Sequence, residues 1–229
     1  ALVSQTCDTM GVVVGDVADP FFGALVKGVA AVAVEQGLHL LMGNGFHRAQ
    51  QEREAIDLLI GKRCEALVVH SKALSDEELI DYALRAPGMV LINRDIPGLR
   101  GRCIALNNRQ GAATATRHLL ELGHRHIAFL SSDHAIEDAM LRHQGYQDAL
   151  AEAGLSADPE LVESGMPNEE GGERAMLNLL AKGLPITAVV FTDDTMASPR
   201  GVKAMHSHYT GTQVDLKVLR PEQHGLRAV

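Results

Sequence analysis

Short apolar runs alternate with longer stretches in which apolar residues return every three or four positions, the pattern of strands alternating with helices. Residues 11–17 (GVVVGDV) read as a buried strand. Over 21–37, Phe22, Leu25, Val26, Val29, Val32 and Ala33 fall at helical spacing, and Gly37 ends the run. The pattern then predicts a strand at 38–42, a helix at 48–61 and a strand at 65–70. A helix at 76–85 follows, opened by Ser75 and Glu78 at capping-box spacing, and then a strand at 88–93. The alternation restarts with strand 102–106, helix 109–122 closed by Gly123, strand 126–131 and helix 137–153 closed by Gly154. It ends with a short strand near 160–164 after Asp158-Pro159, helix 170–182 closed by Gly183, and strand 187–192. Two successive arrays of βα units imply an α/β protein of two Rossmann-like lobes with parallel sheets, crossing over near 131–136. Right-handed crossovers put helices on both sheet faces and leave the C-terminal strand ends to ligands.

Composition narrows the function. The 229 residues are 46% hydrophobic and 22% charged, the make-up of a soluble globular protein. With 21 basic against 29 acidic residues and a formal net charge of −8, this piece lacks the cationic surplus that displaces phosphate counterions, so gripping DNA is not expected of it alone. Cys7, Cys64 and Cys103 are odd in number and show no CxxC or Cys/His metal spacing, which fits reduced thiols in a cytosolic protein. No apolar run reaches membrane-span length, and ALVSQTCDTM has no export-signal pattern. Enzyme chemistry finds no support: there is no GxGxxG or GxxxxGK[ST] phosphate loop, no GxSxG elbow and no HExxH pair. Neither a cofactor nor a metal is expected.

The residues just after each strand are the candidate binding groups. Asp19-Pro20-Phe21-Phe22 follows the first strand; a carboxylate can accept from sugar hydroxyls, and an aromatic ring can cover the apolar face of a pyranose. The competing use is structural: Asp19 as a helix N-cap, Pro20 in the first turn and two core aromatics. Asn93 follows the fourth strand and offers donor and acceptor together, or simply makes a polar turn. Arg142, early in the helix at 137–153, has a guanidinium able to fork two hydroxyls or a carboxylate, or to sit in solvent. Asp193 and Asp194 follow the last strand and either hold hydroxyls or cap the next helix.

Several segments together resemble the lac/gal repressor family of bacteria, most of all its galactose-responsive members, a family that shares its core with periplasmic sugar-binding proteins. They are ALVSQTCDTMGVVVGDVADPFFGALVKGV (1–29), EREAIDLLI (52–60), ALVVHSKAL (66–74), PGMVLINR (87–94), GHRHIAFLSS (123–132), QGYQDAL (144–150) and GGERAM (171–176). The resemblance spans about residues 1–197. It implies a type I periplasmic-binding-protein-like fold, with residues 1–10 as the end of a hinge and linker and 11–95 as the N-terminal lobe. Residues 96–134 would be the crossover and start of the C-terminal lobe, 135–219 an incomplete C-terminal lobe, and 220–229 a divergent tail.

By the same resemblance, Phe21 and Phe22 form the pocket wall of the first lobe, with Asp19 at its rim. Asn93 falls where relatives place a polar side chain on the ligand, and Arg142 where they place the effector-binding arginine. Asp193 replaces the Asn of the family's Asn-Asp-x-Met-Ala motif, Asp194 keeps its Asp, and Pro167 stands where an aromatic is usual. After Ala197 the text departs from the family, by divergence or by a disrupted reading frame, and the C-terminal part is expected to be truncated or altered. A lobe lacking its last strands would leave edges uncovered, so weaker sugar binding than in family members is expected.

The function implied is the sensing domain of a cytoplasmic repressor: a hexose, D-galactose foremost, binds between two lobes and modulates operator affinity. DNA would be read through a helix-turn-helix head missing from this sequence, in a homodimer, with no membrane contact. A periplasmic sugar-binding protein of an ABC transporter is the alternative; the hinge-like LVSQT start and free cysteines point to the regulator. A sugar isomerase has no catalytic set behind it.

Overall fold

The computed structural model describes residues 8–134 and 136–191. Asp193, Asp194, Cys7 and everything expected after Ala197 lie outside the described residues. The chain divides into two compact units, Ala1–Leu106 and Asn107–Val229.

The first unit alternates β1 (Thr9–Val14), α1 (Pro20–Glu35), β2 (His39–Asn44), α2 (Ala49–Gly61), β3 (Ala66–His70), α3 (Asp76–Arg85), β4 (Met89–Ile92) and β5 (Cys103–Ile104). Its five parallel strands lie in the order β2-β1-β3-β4-β5. The period of two sorts β1 onto both faces. Val12 and Val14 pack with Phe22, Leu25 and Val26 of α1, while Val13 joins Ile56, Leu59 and Leu79 from α2 and α3 on the other side. A sheet covered on both faces explains the near-continuous apolar text of these strands.

The second unit runs α4 (Asn108–Glu121), β6 (Ile127–Ser132), α5 (Glu137–Glu152), β7 (Val162–Gly165), α6 (Glu169–Ala181) and β8 (Ala188–Phe191). Its parallel strands order as β7-β6-β8. Ile127 and Phe129 face α4 and α5 with Tyr146 and Leu150, and Ala128 and Leu130 face α6 with Met176 and Leu179.

The helix signals hold in detail. Ser75 and Glu78 make both bonds of the capping box, and Gly37, Gly123, Gly154 and Gly183 take positive φ just past their helices. The helix expected to stop near Gly61 ends there, but it is Arg63 that adopts the left-handed turn, at φ 57°. One expectation needs correcting. The pattern puts a strand at 102–106 at the start of the second array, yet only Cys103–Ile104 form a strand, and they pair with Leu91 and Ile92 at the edge of the first sheet. The chain passes from one unit to the other between Leu106 and Asn107 rather than near 131–136.

Candidate functional site

In open parallel sheets the ligand crevice lies beyond the C-terminal strand ends, where neighbouring connections leave in opposite directions. In the first unit that point falls between β1 and β3. Four segments meet this edge: 15–19 after β1, Phe46-His47 after β2, Ser71-Lys72 after β3 and Asn93-Arg94 after β4.

An aromatic and imidazole cluster occupies the edge. Phe22 meets His70 edge-on with ring centroids 4.7 Å apart. His47 stands 5.7 Å from His70 and 6.2 Å from Phe22. A Cβ on Gly15 would come within 2.5 Å of the His47 ring, so the strand end must stay bare for that ring to pack. Phe46 and His47 both hold left-handed backbone, at φ 49° and 53°, a conformation uncommon for residues with large side chains. His70 is 4% exposed, and its Nδ1 has no hydrogen-bond partner. Burial, reinforced by the charges of Lys72, His47 and Arg94, pushes its pKa down to about 3, so the ring is neutral at physiological pH.

Beneath the cluster, Glu52 braces the loop after β3. This buried carboxylate of α2 accepts from the Ser71 hydroxyl and from the backbone N–H groups of Lys72 (3.2 Å) and Ala73 (3.1 Å). The ammonium of Lys72 donates to the carbonyl of Asn93, tying this loop to the end of β4.

The sequence-designated residues of this unit fall as follows. Asp19 caps α1, accepting from the Phe21 N–H at 2.8 Å, and Pro20 occupies the first turn. Phe21 is 44% exposed and touches Phe22 edge-on at 5.1 Å; Phe22 is buried. Asn93 takes φ 57°, donates its N–H to the carbonyl of Ile104 at 2.7 Å and accepts from Lys72 through its own carbonyl. Asn tolerates this backbone better than most residues, so its turn role has a physical reason independent of any ligand.

In the second unit, Arg142 is half-buried in the second turn of α5, and its Nε donates to Oδ1 of Asn108 at 2.7 Å. The end of β6 is fixed by the Asp133 N–H donating to the Gly165 carbonyl at 2.9 Å and by Ser132 Oγ accepting from the His134 N–H. Behind Arg142, His143 tilts against Phe129 at 5.4 Å, and burial lowers its pKa. Tyr146 is fully buried and donates to the Ile127 carbonyl; burial raises its phenol to about 12. Pro167 sits in the bend between β7 and α6.

Three groups escaped the sequence reading. His70, a polar residue closing an apolar strand, carried a visible signal in LVVHSK. Glu52 and Asn108 read as ordinary helix residues, and only tertiary contacts single them out. Among the described residues no group of three or more His, Cys, Asp or Glu side chains is placed to hold a metal ion, and no helix is long and apolar enough to cross a membrane.

Comparison with known proteins places these features. The family of periplasmic binding proteins and sugar-binding domains of the LacI family matches residues 7–207. The HTH-type transcriptional regulator GalR of Escherichia coli K12 is 54% identical over 198 residues, covering 86% of this chain and 58% of the relative. The HTH-type transcriptional regulator GalS of Salmonella typhimurium LT2 is 50% identical over the same span and share. The chain thus spans a little over half the length of the curated relatives it matches. Among solved structures, the Escherichia coli transcriptional repressor ascG superposes with a TM-score of 0.78 at 29% identity, over 94% of this chain and 76% of that one. A sugar-binding LacI-family regulator from Escherichia coli, complexed with phosphate, gives 0.76 at 30% identity, over 87% and 73%. With the parallel sheets in both units, these likenesses establish a type I periplasmic-binding-protein-like fold, and the chain belongs to the family of periplasmic binding proteins and LacI-family sugar-binding domains.

Proposed function

We propose that this chain is the sugar-sensing part of a DNA-binding transcriptional repressor, and that its effector is a hexose of the D-galactose type. The observation that carries this reading is the 50–54% identity to regulators named GalR and GalS. The same names weigh against a transport protein and against an enzyme. In this reading Phe21 and Phe22 offer a wall for the apolar face of a pyranose. Asp19 would stand at its rim, Asn93 would meet the ligand with its amide, Arg142 would donate to ring hydroxyls, and Asp193 and Asp194 would supply acceptors. The whole repressor would act in the cytoplasm as a homodimer and read its operator through a separate helix-turn-helix head. The sugar shifts operator affinity only by the difference between its affinities for the DNA-competent and DNA-released forms.

The test is a titration of the 229-residue chain with D-galactose, followed by NMR shifts so that weak binding is still read, with D-glucose as comparator. Saturable galactose binding is expected, weakened about ten- to a hundredfold in Arg142→Ala through loss of charge-assisted hydrogen bonds. Asn93→Gly separates two roles of that residue: glycine keeps the left-handed turn and removes the amide, so a folded variant with weakened binding marks a ligand contact. No saturable response to any hexose would overturn the reading.

A further inference from the structure

Arginine is a flexible side chain ending in a rigid, planar fork, so what it recognises depends on what fixes that plane. For Arg142 the fixing group is visible. Its Nε donates to Asn108 Oδ1 at 2.7 Å, and engaging Nε sets the plane in which both Nη groups lie. Asn108 is the first residue of α4, where the Asn107 side chain caps the helix by accepting from the Gln110 N–H at 3.0 Å. The backbone that carries Asn108 is therefore held in place.

The start of α4 is in turn clamped to α5. Gly145 lets the Arg109 carbonyl approach so closely that a Cβ would lie 2.0 Å from that oxygen. Arg109 pairs with Asp148 at 2.6 Å and Arg117 with Glu152 at 2.8 Å. Positions 142, 145, 148 and 152 recur every three or four residues, so one face of α5 lies along α4, and Arg142 is its N-terminal member.

We propose that Asn108 is a positioning residue that presents the Arg142 guanidinium to the sugar without itself touching it. The proposal rests on the reading of Arg142 as a sugar-binding group. It deepens that site by naming what aims its arginine. Pre-ordering a rotamer-rich side chain removes part of the entropy otherwise lost on binding.

The test uses the 229-residue chain and four substitutions: Asn108→Leu, similar in size without an acceptor; Asn108→Asp, which keeps the acceptor; Arg142→Ala; and Arg142→Lys, which serves only to assign the arginine signal. Three quantities are measured: solvent exchange of the Arg142 Nε–H by NMR (assigned with Arg142→Lys), D-galactose affinity, and the thermal unfolding midpoint. Asn108→Leu is expected to expose the Nε–H to exchange and weaken galactose binding about three- to tenfold. Asn108→Asp should preserve both, with the midpoint unchanged in each. Wild-type affinity in Asn108→Leu, alongside lost affinity in Arg142→Ala, would overturn the positioning role and leave the sugar reading standing. A midpoint lowered equally by both Asn108 substitutions would mark a merely structural role and also overturn it. Galactose affinity untouched by Arg142→Ala would remove the sugar assignment of the arginine, and the proposal with it.

Discussion

His70 lies against Phe22 with an unpartnered Nδ1 and a pKa near 3, well under the ordinary histidine value, which the unfolded chain retains. Above that ordinary value neither folded nor unfolded chain binds the proton, and the ring leaves stability independent of pH. As the pH falls below it, only the unfolded chain takes the proton, so folding stability drops until the pH approaches 3. The expected slope from this residue is about 1.4 kcal/mol per pH unit across that window. Urea unfolding of wild type and His70→Gln at several pH values checks it; identical slopes would remove the burial argument. At this scale the sequence told one use of each residue and left the other open. Asp19-Pro20 is enough to predict a helix cap and equally consistent with a hydroxyl acceptor, and the cap is visible in the structure. Glu52 was illegible because its three donors sit about twenty residues downstream, on a loop that only the packing of α2 beside β3 brings near.

Among the elements, the α4–α5 pair depends on the absence of one side chain. Gly145→Ala places a methyl against the Arg109 carbonyl, a backbone group that cannot rotate away, and is expected to cost about 1–3 kcal/mol. Gly111 on α4 is the contrast, since a Cβ there meets nothing within 4 Å. Gly111→Ala should stabilise by up to about 1 kcal/mol through helix propensity alone. Chemical denaturation of the two variants reads both signs. Periodicity made the helices legible almost to their ends, because caps and terminal glycines are local chemistry. It over-read 102–106: Ile104 and Leu106 are exposed, and pairing to β4 stops after Ile104. Alternation alone does not reveal how far a partner strand extends. The α1 stripe was likewise legible as apolar but not as covered. Phe22 and Ala33 are buried, whereas Val32 is 51% exposed.

On the scale of the whole chain, the two units repeat one plan. The order β7-β6-β8 reproduces β2-β1-β3, with a first strand flanked by its two successors. This repetition was legible because βα alternation restarts in the text, while the point of passage was not, since residues 96–106 carry no break in composition. Net charge also belongs to this scale. At −8, the 229-residue chain is expected to give no mobility shift with duplex DNA at moderate salt, while the same preparation still responds to galactose; a salt-sensitive complex with DNA would contradict the charge argument.

The Gly145 contact also governs sliding. The larger of the shifts by which packed helices rearrange is a ratchet of one turn, about 5.4 Å. A one-turn slide of α5 along α4 would bring Leu141 or Ala149 opposite the Arg109 carbonyl, and each carries a Cβ where only hydrogen fits. The pair is a latch with a single notch. A slide by a whole turn, which would move Arg142 along α4, therefore meets a backbone clash at this one contact.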